Sequence, residues 1–234
     1  MTGSLVASIR ARQRAGIFPV LGEVKVRSPK EGDLLAGRDP VAYARLMAAA
    51  GVAGISVVTE PEHFGGSLDL LRTVAAAVGV PVLGKDFVTT PAQVDALADA
   101  GAAAVLLIAA HLTPAALADL VAHAHTRGVE ALVEAHTAEE VRTVADVPAD
   151  LFGINNRDIT LLEVDDGDVT RTGRLARLYP PGRPVVSESA IGSPTDVRRA
   201  AAAGADAVLV GTAALRAPDP VAFLRTLAGA GWPA

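Results

Sequence analysis

The stretch GAAAVLLIAAHLTPAALADLV, from Gly101 to Val121, contains one full copy of the pattern that decides the fold. Gly101 suits the left-handed position that ends a helix. The short apolar run Ala104–Ile108 is typical of a buried parallel strand. Thr113-Pro114 then places a capping residue before a proline at the first helical position, and apolar residues recur after it at helical spacing. This stretch therefore predicts a strand followed by a helix.

The same pattern recurs along the chain. The apolar runs start about 20 to 35 residues apart, close to the length of a strand–helix–strand unit. Eight such units favour a closed barrel. An open sheet would more often show a Gly-x-Gly-x-x-Gly turn after its first strand, and residues 23–32 contain none. We therefore predict an α/β fold, a single-domain (β/α)8 TIM barrel over residues 1–234, with a shortened N-terminal extension in which residues 1–17 form a short helical segment. The predicted strands are Phe18–Val24, Gly54–Val58, Val80–Leu83, Ala104–Ile108, Glu130–Val133, Leu151–Ile154, Pro184–Val186 and Ala207–Val210.

Composition narrows the class of protein. The chain has 234 residues, half of them hydrophobic, and a formal net charge of −5. Acidic and basic residues are mixed along the sequence, which argues against a nucleic-acid binder, and no apolar run is long enough to span a bilayer. Cysteine is absent, which excludes disulfides, thiolate catalysis and zinc–sulfur sites. We expect a cytoplasmic protein, a monomer or weak homo-oligomer, that binds a small molecule.

Ionisable residues stand at the ends of otherwise apolar strands. Lys85 follows one apolar run, and Glu134 follows another. Burial disfavours the charged form of such a side chain, so an acid and a base that face one pocket are expected here, with a structural ion pair as the alternative. We also expect desolvation and nearby cations to lower the pKa of Lys85 toward neutral pH. His136 would cap the following helix. Other polar residues at strand ends are Glu23, Lys25, Asn155, Arg157, Ser187, Glu188 and Ser189.

The last two strand ends suit a phosphate group. Small residues there allow backbone N–H groups to approach an anion, and barrels of this kind often bind phosphate after their seventh and eighth strands. A plain turn glycine is the alternative reading of Gly211. The candidate phosphate-binding residues are Lys25, Ser189, Ala190, Gly211 and Thr212.

Seven stretches in register resemble the indole-3-glycerol phosphate synthase family of tryptophan biosynthesis. They are EVKVRSP (Glu23–Pro29), GISVVTEP (Gly54–Pro61), FGGS (Phe64–Ser67), KDF (Lys85–Phe87), LVEAH (Leu132–His136), GINNR (Gly153–Arg157) and SES (Ser187–Ser189). The resemblance implies a carbon–carbon lyase that converts 1-(2-carboxyphenylamino)-1-deoxyribulose 5-phosphate to indole-3-glycerol phosphate, with loss of carbon dioxide and water. It implies no metal and no redox cofactor.

The resemblance also implies a role for each matching residue. Lys85 would be the acid of ring closure, and Glu134 the base of the dehydration. Lys25 would contact the substrate and supply a proton to the leaving hydroxyl. The residues that would position substrate hydroxyls and hold the lysines are Glu23, Asn155, Glu188 and Ser189. Further substrate contacts are expected from Ser28, Phe64, Phe87, Leu107 and Arg157; the two phenylalanines would flank an aromatic ring or pack in the core.

Two departures from the family pattern leave alternatives open. The segment before the first strand is shorter than usual, which predicts that a helix covering the barrel mouth is truncated or absent. Ala190 stands where the pattern has glycine, and its methyl group lies where backbone would approach phosphate. Both departures favour a specialised-metabolism paralogue that acts on a substituted or analogous aminodeoxyribulose phosphate.

Two further rivals lie outside this chemistry. A phosphosugar isomerase would suit the barrel but would normally use a cysteine, which this chain lacks. A non-catalytic phosphosugar-binding barrel is the alternative of another class. The joint presence of Lys25, Lys85 and Glu134 argues against it.

Overall fold

The computed structural model describes residues 3–157 and 168–233, within which eight parallel strands close into a barrel. Each strand pairs with the next, and β8 returns to β1 with Leu209 opposite Leu21. The predicted (β/α)8 barrel is confirmed. The strands are β1 (Val20–Val24), β2 (Gly54–Val58), β3 (Val82–Lys85), β4 (Ala104–Ile108), β5 (Glu130–Ala135), β6 (Leu151–Asn155), β7 (Val185–Glu188) and β8 (Ala207–Val210).

Helices surround this barrel, and several begin at the predicted caps. The side chains of Asp39, Thr113, Ser193 and Asp219 each accept a backbone N–H from the first turn, and a proline follows each of them. No helix in the described ranges is both long and apolar enough to cross a membrane. The helices are α1 (Leu5–Arg14), α2 (Pro40–Ala50), α3 (Leu68–Ala77), α4 (Pro91–Asp99), α5 (Pro114–Thr126), α6 (Ala138–Val144), α7 (Thr170–Leu175), α8 (Pro194–Ala203), α9 (Thr212–Arg216) and α10 (Pro220–Ala228).

Three strands extend two residues beyond their predicted ends. Lys85, Glu134 and Glu188 belong to β3, β5 and β7. An apolar run ends at its first charge, but the backbone ladder continues through it because the ladder does not depend on the side chain. Lys85, for example, lies opposite Val58 in the register of β2 and β3. The ionisable side chains are therefore held by the barrel itself and not by its loops.

The helix α1 closes the amino-terminal end of the barrel. Leu5 and Ile9 are fully buried and pack into the apolar cluster inside the barrel. The Leu5 N–H donates to the carboxylate of Glu130, at the start of β5, over 2.7 Å. The Ser8 hydroxyl donates to the carbonyl of Ala53, just before β2. Because the functional face of such a barrel lies at the carboxyl ends of the strands, α1 lies at the end opposite the mouth.

Candidate active site

Four ionisable side chains form the uppermost layer of the barrel interior. Glu23, Lys85, Glu134 and Glu188 come from β1, β3, β5 and β7. Side chains from alternate strands share a layer in such barrels. The inward-facing residues two positions earlier on the same strands are all apolar and buried: Leu21, Leu83, Leu132 and Val186. The layer thus lies where the apolar interior meets the mouth.

Lys85 lies among the three carboxylates of this layer. Its Nζ is 2.8 Å from Glu188 Oε2, 3.8 Å from Glu23 Oε2 and 3.9 Å from Glu134 Oε2. Glu134 and Glu188 are fully buried, and the Lys85 side chain is 12% exposed. Lys25 Nζ lies 3.4 Å from Glu23 Oε1. The predicted acid and base are therefore brought together in one charged cluster.

The electrostatics of Lys85 differ from the prediction. Burial alone would lower its pKa, but the carboxylates of Glu188, Glu23 and Glu134 raise it well above the ordinary value of 10.5. The predicted lowering toward neutral pH is wrong, because the nearest charges are acidic and not basic. Lys85 is an ammonium at neutral pH, able to donate hydrogen bonds or a proton.

The pKa of the Glu188 carboxyl group is raised, which favours its neutral form. Its pKa is raised to about 8: burial raises it most, the charge of Lys85 opposes the rise, and the charge of Glu134 adds to it. Two carboxylates that share a buried space resist simultaneous ionisation. Asn155 Nδ2 donates to Glu134 Oε2 over 3.3 Å, which holds that carboxylate on the inner face of the barrel.

An apolar recess adjoins this cluster on one side. Val58, Leu106 and Ile108 line it together with Phe64 and Phe87, and Lys25 and Lys85 lie at its edge. The two phenylalanine rings meet edge to face with centroids 6.4 Å apart. Lys25 Nζ lies 5.6 Å from the Phe64 centroid. The recess is small, about 30 Å³, and the two aromatic side chains form part of its wall.

Leu107 does not contribute to this recess. Alternate residues of β4 face opposite sides, and Leu107 packs among the helices outside the barrel, whereas Leu106 and Ile108 face inward. The prediction of Leu107 as a substrate contact is therefore wrong by one residue of register.

A polar cavity of about 350 Å³ lies on the other side of the cluster. Ser189 and Ala190 line it, and both have left-handed backbone, with φ of 65° and 57°. Successive backbone N–H groups near such conformations can form a concave anion site. The cavity thus has the form expected of a phosphate site. Its lining also includes Lys25, Lys85, Arg157, Gly211 and Thr212.

Ser28 lies in the segment after β1, beside Glu31 of the polar cavity but outside the lining of both spaces. Its hydroxyl accepts the N–H of Glu31 inside the short hairpin that pairs Arg27–Ser28 with Gly32–Asp33. Ser28 lines neither the apolar recess nor the polar cavity. Its predicted substrate contact has no support in this geometry.

His136 does not cap α6. The Thr137 side chain does so by accepting the N–H of Glu140. The His136 imidazole instead lies between two carboxylates, with Nε2 3.4 Å from Glu134 Oε1 and Nδ1 3.4 Å from Glu140 Oε2. His136 is thus a neighbour of the cluster.

A buried polar network behind the polar cavity was not predicted. Asn156 Nδ2 donates to Ser187 Oγ and to the carbonyls of Glu188 and Ser189 over 3.0 to 3.1 Å. Thr172 donates its N–H and its hydroxyl to Asn156 Oδ1. The network anchors the backbone that leads into the left-handed pair. Asn156 stands in the GINNR stretch, but its partners come from distant parts of the chain.

One group of side chains has the composition of a metal site. Possible ligand atoms of Glu60, Glu62 and His63 lie within 4.8 Å of one another. The Glu60 carboxylate, however, already accepts the backbone N–H groups of Glu62, His63 and Phe64. These bonds account for Glu60 as the cap of the turn after β2.

The fold is shared with a protein of low sequence identity. The crystal structure of orotidine 5'-phosphate decarboxylase from Pyrococcus horikoshii OT3 matches with a TM-score of 0.67, over 90% of this chain and 98% of that chain. The sequences are 15% identical, so the likeness concerns the fold alone.

Sequence comparisons identify the family of this chain as well as its fold. Residues 2–227 match the family model described as indole-3-glycerol phosphate synthase. A protein of that name from Thermococcus kodakarensis is 44% identical over 93% of this chain and 95% of its own length. One from Halobacterium salinarum is 46% identical over 92% of this chain and 82% of its own length. Because the model and these relatives cover nearly the whole chain, it belongs to the indole-3-glycerol phosphate synthase family.

Proposed function

We propose that the barrel mouth closes the indole ring of 1-(2-carboxyphenylamino)-1-deoxyribulose 5-phosphate and releases indole-3-glycerol phosphate, carbon dioxide and water. The position of Lys85 carries this proposal. Its ammonium lies between the apolar recess walled by Phe64 and Phe87 and the polar cavity beside Ser189. A substrate with an aromatic ring at one end and a phosphate at the other would place the ring on the apolar side of this ammonium and the phosphate on the polar side.

Lys85 acts as the acid of ring closure. The aromatic carbon that bears the carboxylate attacks the ribulose carbonyl, and negative charge develops on the carbonyl oxygen. The raised pKa of Lys85 keeps its nitrogen protonated, so that it can donate to that oxygen. Glu188, at 2.8 Å, and Glu23, at 3.8 Å, hold the ammonium in place. Loss of carbon dioxide then restores the aromaticity of the ring.

Glu134 acts as the base of the dehydration that follows. The former carbonyl oxygen leaves as water, which requires a proton on the oxygen and the removal of another from the new ring. Lys25 supplies the first proton and Glu134 takes the second. Asn155 supports this role through its hydrogen bond to Glu134 Oε2.

The polar cavity takes the phosphate end of the substrate. Backbone N–H groups near Ser189, Ala190 and Gly211 bind the phosphate oxygens, and Thr212 adds a hydroxyl at the same edge. Arg157 orients an anionic group of the substrate. These steps use acid, base and binding groups of the chain alone, so the scheme invokes no metal and no redox cofactor.

Location and assembly form part of the same proposal. The enzyme works in the cytoplasm on a soluble phosphosugar, as a monomer or a weak homo-oligomer. Light scattering of the purified protein over a range of concentrations measures the state of assembly.

One observation favours a second candidate. Ala190 has a φ of 57°, a conformation that suits glycine better than alanine, so the phosphate site differs in detail from the family pattern. A paralogue that acts on a substituted or analogous aminodeoxyribulose phosphate is the alternative. A short segment before β1 does not favour it, because a relative named as a synthase is matched over 95% of its own length.

A comparison of substrates tests both candidates. Purified protein is mixed with the unsubstituted substrate or with ring-substituted analogues, and indole fluorescence and carbon dioxide are recorded. We expect kcat/KM for the unsubstituted substrate of about 10⁴ M⁻¹s⁻¹ or more, typical of an enzyme acting on its own substrate. A wide preference for an analogue would support the paralogue, and no turnover of any of them would contradict the proposed reaction.

A further inference from the structure

The imidazole of His136 lies between two acidic groups from different elements. Glu134 comes from β5 and Glu140 from α6, and each places a carboxylate oxygen 3.4 Å from one ring nitrogen. The His136 side chain is 7% exposed. The backbone N–H of His136 also donates a hydrogen bond to Glu140 Oε2 over 2.8 Å, which fixes the main chain beside the ring. Neither ring contact has hydrogen-bond geometry, so the imidazole lies at ion-pair distance from a carboxylate on each side.

The two oxygens of Glu134 face different neighbours. Oε2 faces Asn155 and, at 3.9 Å, Lys85. Oε1 faces His136. Lys85 lies closer to Glu188, at 2.8 Å. The buried pair of carboxylates thus has one cation nearest to each member: Lys85 beside Glu188 and His136 beside Glu134.

Among the described residues, the other charges near His136 are Arg171 and Arg174 of α7 and Asp168 just before that helix. Burial lowers the pKa of His136, the carboxylates of Glu140 and Glu134 raise it, and Arg171 lowers it, with a net rise above 6.5. Asp168 and Arg174 line the cavity that adjoins the ring. The acidic neighbours prevail, so the imidazolium form is favoured.

We propose that His136 is a positioning residue for the Glu134 base: paired with Glu140, it holds Glu134 Oε1 and balances its charge, so that Oε2 faces the substrate. This role rests on the proposed ring-closing reaction. In this role Glu140 of α6 supports the Glu134 base indirectly, through His136. The ring of His136 itself exchanges no proton with the substrate.

The pairing is tested first without any activity. Imidazole resonances of His136 are titrated by NMR in the parent protein and in the Glu134→Gln and Glu140→Gln variants. We expect the pKa of His136 to lie above 6.5 in the parent and to fall in both variants, because each loses a neighbouring negative charge. An unchanged titration in Glu134→Gln would overturn the inference, whether or not the protein is an active synthase.

The kinetic role is tested by the pH profile of kcat in His136→Gln. We expect the acidic limb to move to higher pH, so that kcat falls on that limb, by at most about tenfold for a shift of one unit, and is nearly unchanged on the plateau above it. Glu140→Gln should move it in the same direction by less. The matched control is His125→Gln, whose histidine pairs with Asp150 on the surface. A uniform loss of kcat at all pH values would leave a structural role only and overturn the inference. If the parent shows no turnover while the NMR pairing holds, the proposed reaction fails and the pairing stands.

Discussion

Two glycines on the inner face of the barrel decide where the carboxylates lie. A Cβ at Gly153 would overlap Glu188 Oε1, and a Cβ at Gly211 would overlap Glu23 Oε1. Each glycine therefore leaves room for a carboxylate from the neighbouring strand. The sequence indicates a phosphate contact or a turn residue at Gly211, and this packing role could not be predicted from it because the role depends on the pairing of β8 with β1.

We expect replacement of Ala190 by glycine to stabilise the folded protein. Left-handed backbone costs a residue with a Cβ about 1 kcal/mol, and Ala190 has a φ of 57°. We expect Ala190→Gly to raise the free energy of unfolding, measured in urea, by about 1 kcal/mol. The matched control is Ala36→Gly at an exposed position with a φ of 49°. It should give a similar gain, with no change in KM. A loss of stability in Ala190→Gly would contradict the account of this turn.

Because the pKa of Glu188 is raised, we expect the free energy of unfolding to depend on pH. Its pKa is about 8 in the folded protein against an ordinary value of 4.5. Folding therefore takes up a proton between these values, so the stabilising contribution is complete below about pH 4.5 and is lost as the pH rises to about 8. We expect the free energy of unfolding of the parent, relative to Glu188→Gln, to decrease across this window. The charge of Lys85 stays constant there, because its pKa lies higher still. A difference that does not vary with pH would contradict this assignment.

At the scale of elements, the order of strands and helices could be predicted and the facing of the strands could not. Proline and glycine mark the element ends whatever the tertiary structure, as at Thr113-Pro114 and Gly101. A strand buried on both faces shows no alternation of polar and apolar residues. Leu106 and Leu107 therefore look alike in the sequence, although one lies inside the barrel and the other outside.

Because α1 lies at the end of the barrel opposite the mouth, we expect substitutions in its core-facing residues to lower stability without lowering turnover. Ile9 is fully buried at the end of the barrel opposite the mouth. We expect Ile9→Ala to lower the free energy of unfolding by about 2–5 kcal/mol, as for other large-to-small changes in a core. Turnover below the unfolding temperature should stay within about twofold of the parent. Leu46→Ala is the control, because Leu46 is 49% exposed on α2, and it should change stability by less than about 0.5 kcal/mol.

A large loss of turnover in folded Ile9→Ala would contradict this division of the molecule. It would mean that α1 acts on the mouth through the barrel interior. Circular dichroism at the assay temperature shows whether the variant is folded when its turnover is measured.

At the scale of the whole molecule, the barrel brings charges together that are distant in the sequence. The resemblance to the family pointed to Lys85, Glu134 and Glu23 one by one. The direction of the Lys85 pKa shift could not be predicted, because the three carboxylates that raise it come from three other strands. The positions of the residues were thus easier to predict than their electrostatics.

Single-turnover ring closure in Lys85 variants tests the central claim most directly. Lys85→Arg keeps a positive charge among the carboxylates but replaces the compact ammonium with a planar guanidinium, a weaker acid of different shape. Lys85→Met removes the charge, and thermal unfolding shows whether each variant is folded. Release of carbon dioxide, which follows ring closure directly, is recorded together with indole fluorescence after saturating enzyme is mixed with substrate. The account predicts a loss of about 10²–10⁴-fold in the rate of ring closure for both variants. A folded variant that closes the ring within a few-fold of the parent rate would contradict it.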